Sequence, residues 1–474
     1  MFHAPPRRLA VACRAQWDYT LAAMTPALLA ALLLAADPAA PAAAPAEGKP
    51  PEKAAPEKKE KAEKVDKAEK AEKPEKEHKE KGEKKEKEKG EAGEAAAKKF
   101  VYGPQATLPD GSLDFTAEAK LLFRVVACGN DSALPEGMDA KVVAEHCAEL
   151  KRRTDKYKKT WVGVAEPWLQ KLKPSGLPTT LVYPFGGGDL ISALTTYPEA
   201  TDITTMSLEH AGDPRRIRHV DAKELKASLA LIRSTSSGLL VANDSKTENL
   251  MKGQRGDIPG QLSFFLIALA VHGYEPVRLR YIKAQSDGSV KGMTQADLDA
   301  LESKNAQLLH SGWTSPDFSE AFSDMELTFV KAGGDPAKDT KVHRHFGENL
   351  DDDHFGKDEP MKKYLESKGR VVAMTKAASY LLWRDNFSTI RDYLIAHMEF
   401  MLSDSTGIPP HYLVDKGFEQ KAYGKFAESF LGANPKWNDD FRKLWSKAEP
   451  LPFRYGYVDK KLQSHLLVTQ KTAK

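Results

Sequence analysis

Short apolar runs rich in β-branched residues recur along the second part of the chain, and segments with helical periodicity separate them. The strand-like runs are LLFRVVA (121–127), TTLVYPF (179–185), DITTMSL (202–208), SGLLVAN (237–243), PVRLRYI (276–282), MELTFVKA (325–332), KVHRHF (341–346) and RVVAMT (370–375). Helical patterns cover 139–172, 222–233, 261–273 and 360–368. Such alternation predicts an α/β fold with a mostly parallel, Rossmann-like layered sheet.

The pattern becomes helical towards the C-terminus. Ile390, Leu394, Met398 and Met401 share one helical face, and this predicts a single helix that runs on to Gly407. The last segment, LPFRYGYVDKKLQSHLLVTQK, predicts a closing antiparallel hairpin with its turn at residues 459–460. We therefore expect residues 100–474 to form one large α/β domain with a helical C-terminal part.

Residues 47–99 consist almost entirely of Lys, Glu, Ala and Pro, as in EKKEKAEKVDKAEKAEKPEKEHKEKGEKKEKEKGE. A segment with so little apolar surface cannot offset the entropy cost of ordering its chain. It predicts a disordered linker that tethers the α/β domain.

Residues 1–46 contain an apolar stretch, Leu21–Ala36, with arginines before it and an Ala/Pro-rich segment after it. This layout is typical of a secretory signal peptide, and the same stretch can also act as an uncleaved membrane anchor. Met1 and Met24 are both candidate starts. The sequence therefore predicts export to the periplasm or cell envelope.

The net charge of +3 arises from 70 basic and 67 acidic side chains, which nearly cancel. Nucleic-acid-binding proteins usually carry a basic excess on one face, so we expect no nucleic acid among the partners. An envelope component or another protein fits the predicted compartment.

Two cysteines, Cys128 and Cys147, remain if the leader is removed. An even pair in an exported domain predicts a disulfide, and two buried thiols are the alternative.

The segment YPFGGGD leads from a strand into a short helix, and Glu209 follows the next strand. In dinucleotide folds such a loop holds a pyrophosphate, and an acidic residue about 20 positions further on binds the ribose. A class I methyltransferase would show a similar layout.

The glycines are consecutive, however, and Asp189 would repel a phosphate. The alternative is a tight turn in which Asp189 caps the helix. Because NAD and S-adenosylmethionine are cytoplasmic metabolites, we expect no cofactor.

A second segment, VHRHFGENLDDDHFG, places His343 and His345 on one face of a strand. With Asp352 or His354 they would supply ligand types suited to zinc. The spacing matches no known zinc motif, so we expect polar surface groups, or a helix start capped by Asp351, instead of a metal site.

Polar residues on or beside the predicted C-terminal helix complete the candidates. Ser388 and His397 lie over two turns apart, too far for a nucleophile and its base. Ser388 is therefore expected to cap the helix.

YPFGGGD, KAASYL, FSTIR and SDSTGIPPHY together resemble strings of an uncharacterised family of exported bacterial proteins, from about Cys128 to the C-terminus. The family has no assigned activity, so the resemblance implies no catalytic residue. It implies that the glycine loop is a structural turn. The polar and glycine residues of one ligand pocket would be Gly187, Asp189, Glu209, Ser388, Arg391 and Asp404.

Two hypotheses remain. In the first, the exported domain binds an envelope ligand or protein without catalysing a reaction. In the second, it is an enzyme, either a Rossmann-like relative of methyltransferases or a hydrolase of envelope material. The sequence leaves enzymatic activity open.

Overall fold

The computed structural model describes residues 102–240, 257–302, 305–307, 314–404, 406–426, 435–456 and 464–472. The predicted leader (1–46), the linker (47–99) and the hairpin turn at 459–460 lie outside these residues. Among the described helices, none combines the length and apolar character that crossing a membrane requires.

The strands in chain order are β1 (Ala106–Thr107), β2 (Leu113–Asp114), β3 (Thr180–Pro184), β4 (Asp202–Ser207), β5 (Tyr274–Ala284), β6 (Val290–Gly292), β7 (Asn305–Gln307), β8 (Thr314–Ser319), β9 (Met325–Lys331), β10 (Lys341–Gly347), β11 (Val371–Thr375), β12 (Met398–Asp404), β13 (Phe418–Gly424) and β14 (His465–Lys471). The helices are α1 (Thr116–Val125), α2 (Ala140–Tyr157), α3 (Gly163–Leu172), α4 (Leu190–Thr196), α5 (Ala222–Leu240), α6 (Gly260–His272), α7 (Gln295–Glu302), α8 (Glu359–Glu366), α9 (Ser388–His397) and α10 (Pro435–Trp445).

The fold is α/β, and its main sheet is mixed. The strand order is β13-β14-β12-β11-β3-β4-β10-β9-β5-β6. The five central strands, from β12 to β10, pair in parallel, and the other described pairings are antiparallel. The prediction of a mostly parallel sheet was wrong, because β5–β6 and β9–β10 are joined by short connections. Such connections allow only antiparallel pairing.

Both faces of the central strands are buried. Along β3, Leu181 and Tyr183 belong to one apolar cluster, and Val182 belongs to another. Since successive residues of a strand point to opposite faces, the two clusters cover the two sides of the sheet. This explains why the runs around β3 and β11 are mostly apolar instead of alternating.

Two predicted strands are helical. The run LLFRVVA lies largely in α1, and SGLLVAN continues α5 as far as Leu240. In α1, Leu121, Leu122 and Val125 are all buried, so the helix presents a wide apolar face. A short apolar run of this kind does not distinguish a buried helix from a buried strand.

The C-terminal part also differs from the prediction. The helix that begins at Ser388 ends at His397, and Met398–Asp404 forms the buried strand β12. The closing strand β14 pairs antiparallel with β12 and β13, whereas the described residues 451–456 contain no regular strand. The sequence therefore predicted that an antiparallel strand closes the sheet, but it did not predict that β14 pairs with β12 and β13.

Candidate functional site at the carboxyl ends of the parallel strands

The order of the parallel strands reverses between β3 and β11. From β3 the chain proceeds to β4 and β10 on one side, and then returns to β11 and β12 on the other. In open α/β sheets, ligands bind outside the carboxyl ends of the strands at such a switch point. Gly187 and Asp189 follow β3 there, Lys376 follows β11, and Asp404 is the last residue of β12.

The glycine loop after β3 is a tight, filled turn. Phe185 and Gly187 adopt positive φ angles of 61° and 50°. The amide of Gly186 donates to the carbonyl of Met206, at 3.0 Å. A Cβ atom added to Gly188 would lie 2.4 Å from Oε1 of Gln261 on α6. The loop thus packs directly against α6 at Gly188.

Asp189 is fully buried, and its carboxylate both caps α4 and pairs with Lys376. Its Oδ1 accepts a hydrogen bond from the amide of Ser192 and so caps α4. Its Oδ2 accepts from Nζ of Lys376, at 2.6 Å, and from the hydroxyl of Tyr183, at 3.0 Å. The Lys376 side chain is also fully buried, and its Nζ lies 2.6 Å from Oγ of Ser192. The prediction that Asp189 caps this helix is therefore confirmed, but the ion pair with Lys376 was not predicted.

Asp404 supports the segment that follows β11. Its Oδ2 accepts from the amide of Ala377, at 2.8 Å, and its Oδ1 accepts from the hydroxyl of Ser379. Ala377 has a positive φ of 64°, which a non-glycine residue adopts only when its surroundings hold it there. A Cβ atom added to Gly456 would overlap the Asp404 carboxylate, so Asp404 is enclosed from that side as well.

Arg391 is buried on α9, and it bonds to the backbone of the segment between β11 and α9. Its Nη1 donates to the carbonyls of Leu382, at 3.2 Å, and Arg384, at 2.9 Å. Its guanidinium lies over the ring of Tyr412, 3.9 Å from the ring centroid. Arg391 therefore connects the backbone before α9 to the body of the domain.

Ser388 does not cap α9, contrary to the prediction. It is the first residue of the helix, and the carboxylate of Asp352 accepts from its amide and hydroxyl and from the amide of Thr389. A side chain from a separate segment thus stabilises the N-terminus of α9. Asp189 and Asp352 thus bond to the two ends of segment 376–388, at Lys376 and Ser388. Arg391 and Asp404 bond to residues between those ends.

Glu209 follows β4 and is buried beside the histidines of β10. Its carbonyl lies 2.7 Å from Nε2 of His345, and Thr205 Oγ1 lies 2.9 Å from Nδ1 of His345 and 2.8 Å from Nε2 of His343. If Nε2–H of His345 donates to that carbonyl, Nδ1 accepts from Thr205, which then accepts from His343. Burial lowers the pKa of His345 to about 4 and that of His343 well below its ordinary value.

The two strand histidines are therefore neutral core residues, and the expectation that they lie on the surface was wrong. They do share one face of β10, as predicted. His354 is exposed in a loop and bonds to Asp351, at 2.7 Å. Within the described ranges, no group of three or more His, Cys, Asp or Glu side chains is arranged to hold a metal ion.

Glu348, which the sequence analysis missed, follows β10 at the same edge of the sheet. Burial, together with the nearby carboxylates of Asp358, Asp324 and Asp351, raises its pKa to about 8. Its environment is not evident from the sequence, because Asp324 lies in a separate segment and the burial depends on tertiary packing.

Cys128 and Cys147 form a disulfide, with their Cα atoms 5.5 Å apart. The bond joins the residues after α1 to the middle of α2. Next to it, His146 is fully buried between the carbonyl of Val126, 2.8 Å from Nε2, and Arg233, 2.9 Å from Nδ1. A disulfide at this position is typical of proteins from oxidising compartments.

Fold and site together define a disulfide-bonded α/β protein with a large mixed sheet and a closed polar network at its switch point. No known protein family and no curated protein sequence matches the chain.

Proposed function

We propose that this protein is an exported, envelope-tethered binding protein whose α/β domain recognises a ligand or a protein partner without a cofactor. The observation that carries the proposal is the buried ion pair between Asp189 and Lys376. It occupies the switch point, where a Rossmann-like enzyme would bind its nucleotide.

The argument against a nucleotide is steric and electrostatic. Gly188 is in close contact with Gln261, and the amide of Ser192 is already bonded to Asp189, so the start of α4 offers little to an incoming anion. Lys376 is already paired with the Asp189 carboxylate, so its positive charge is not free to bind a phosphate. A nucleotide would have to separate a buried ion pair, and this is strongly unfavourable.

The proposed compartment draws on three features of different origin. The disulfide fits an oxidising environment, the predicted leader (1–46) would direct export, and the predicted linker (47–99) would give the domain reach from the membrane. A nearly balanced charge fits envelope or protein partners better than nucleic acid.

We also propose membership of the family of exported bacterial proteins that the sequence resembles. Its strings coincide with the residues that hold segment 376–388. YPFGGGD contains Asp189, KAASYL contains Lys376 and Ser379, FSTIR contains Ser388 and Arg391, and SDSTGIPPHY contains Asp404.

The proposal is tested by the intact mass of the native protein, fractionated from its own cells, with and without thiol alkylation under denaturing conditions. We expect an envelope fraction, a mass that lacks the leader or retains it as an anchor, and two cysteines that react only after reduction. A cytoplasmic species with free Cys128 and Cys147 would overturn the proposal.

A second candidate is supported by the strand order. The strands β13-β14-β12-β11-β3-β4-β10, with β14 antiparallel to its neighbours, follow the arrangement of class I methyltransferases. This likeness concerns fold, and fold alone does not determine function. Calorimetric titration of the full chain with S-adenosylmethionine and NAD separates the candidates. Saturable binding of either molecule would favour the enzyme.

An envelope hydrolase is the remaining alternative. Ser192 and Lys376 are in contact, as in a serine–lysine pair, but both are fully buried and Lys376 is paired with Asp189. Release of reducing sugars or peptides from purified cell-wall material, abolished by Ser192→Ala, would support this alternative.

A further inference from the structure

A cavity of about 500 Å³ lies at the opposite edge of the sheet, beside the amino ends of the parallel strands. Arg370 immediately precedes β11, Glu399 is the second residue of β12, and Lys416 lies just before β13. Lys471 ends the antiparallel strand β14 and so reaches the same edge. The chain thus brings four charged side chains from four segments to one cavity, whose size is in the range of small-molecule sites.

The charge at this cavity is predominantly positive. Arg370, Lys416 and Lys471 contribute three cations, and Glu399 contributes the carboxylate. The hydrogen bond from Arg370 lowers the pKa of Glu399, so the carboxylate stays ionised. The four side chains carry a net charge of +2, and Ser175 and Gln470 add neutral polar groups to the lining.

Glu399 also fixes the positions of two of the cations. Its Oε1 accepts from Nε of Arg370, at 2.9 Å, and from Nζ of Lys471, at 3.4 Å. Only 17 % of the Glu399 side chain is exposed, compared with 68 % for Arg370. The Arg370 guanidinium uses Nε for its hydrogen bond to Glu399. The two terminal nitrogens therefore remain available for a fork-like contact with a carboxylate or phosphate.

We propose that this cavity is a binding site for a small anionic ligand, a carboxylate or phosphate carried on a hydroxyl-bearing molecule of about sugar size. Arg370 would bind the anion, and Lys416 and Lys471 would add attraction as point charges. Ser175 and Gln470 would bind the hydroxyl groups. The proposal rests on the proposed function and identifies the ligand class that the exported domain would recognise.

The test is calorimetric titration of the full-length protein at low ionic strength with glucose 6-phosphate, glucuronate and inorganic phosphate, and with glucose as the uncharged control. We expect saturable binding of at least one of the two sugar anions and none of glucose. Whether glucose 6-phosphate or glucuronate binds more tightly distinguishes a phosphate site from a carboxylate site. Screening by added salt should weaken binding.

Arg370→Gln is the decisive variant, because it keeps a polar side chain and removes the charged fork. It should weaken binding of the sugar anion at least about tenfold. Lys120→Gln removes an exposed lysine from α1, outside the cavity, and should leave the affinity unchanged. Circular dichroism and the melting temperature of both variants should match the wild type, since the substituted side chains are exposed.

Equal affinity of Arg370→Gln and wild type for the sugar anions would overturn the proposed site, and so would the absence of binding by every anion tested. Neither result bears on export or on the disulfide, which the intact-mass experiment tests separately. Failure of this site and failure of the proposed function are therefore distinguishable.

Discussion

Replacing Lys376 by methionine should be among the most destabilising single changes in this protein. The substitution leaves the Asp189 carboxylate fully buried, with hydrogen bonds from Tyr183 and Ser192 but without its counter-ion. Loss of one partner from a buried pair costs about 3–5 kcal/mol. This is a large share of the 5–15 kcal/mol by which folded proteins are typically stable.

A double-mutant cycle isolates the pair from other effects of each substitution. Asp189→Asn retains a capping side chain for α4 but leaves the Lys376 charge buried and unpaired. The double variant Asp189→Asn, Lys376→Met removes both charges, so its cost should fall well below the sum of the single costs. Lys151→Met is the matched control, since its partner Asp155 is about half exposed and an exposed pair contributes at most ~1 kcal/mol.

The assay is urea-induced unfolding of the oxidised protein, followed in parallel by tryptophan fluorescence and circular dichroism. A lower midpoint at an unchanged slope reports a loss of stability. Two results would refute the reasoning. One is a Lys376→Met variant as stable as Lys151→Met. The other is a double variant that loses the full sum of the single effects. Either would mean that the two charges are not coupled, and the switch point would then be open to another role.

Three further predictions concern stability. Reduction of the Cys128–Cys147 bond, or the double Cys→Ser variant, should lower the free energy of unfolding by about 3 kcal/mol, measured by urea unfolding with and without reductant. Burial lowers the folded-state pKa of His345 to about 4 from 6.5. The contribution of neutral His345 to the free energy of unfolding should therefore be intact above pH 6.5 and lost as the pH falls towards 4. His345→Gln should therefore lose less stability than wild type between pH 7 and pH 4.5, and parallel losses would contradict this. Glu348 should change the stability with pH in the opposite direction, because its folded-state pKa is raised to about 8 from 4.5. Glu348→Gln should gain stability relative to wild type as the pH rises from 5 to 8, and a gain independent of pH would argue against the buried carboxyl.

The α/β class and the central strands could be predicted from the sequence because buried parallel strands are short, apolar and flanked by turns. β3, β4 and β11 lie within their predicted runs, and β10 extends one residue beyond its run, to Gly347. The errors occurred where an apolar run suits two structures. The pattern of Met398 and Met401 fits a helical face, but in the structure both residues lie on β12 and are buried in an apolar cluster. Tertiary packing overrides the local pattern there, and one sequence does not show it.

The candidate site was predicted in part. Asp189, Arg391 and Asp404 were chosen as polar residues of one pocket, and they do contact one segment of the chain. Their role was missed because their partners are distant in sequence or are backbone atoms. Lys376, for example, is 187 residues from Asp189. A buried lysine directly after an apolar strand could have suggested the pair, since a charged side chain is rarely buried without a partner.

The glycine loop shows why a strand–glycine–helix pattern does not by itself identify a nucleotide site. A tight turn needs a residue with positive φ at Gly187 and an acceptor at the start of the helix, whether or not a phosphate is bound. What separates the two uses is the space in front of the turn, and residues from other parts of the chain determine that space. Here Gln261 lies against Gly188, and Lys376 is bonded to Asp189. Asp189 and Lys376 are thereby committed to internal bonds. The ligand recognition that we propose would therefore rely on side chains exposed elsewhere, such as the cations around Glu399 at the amino edge.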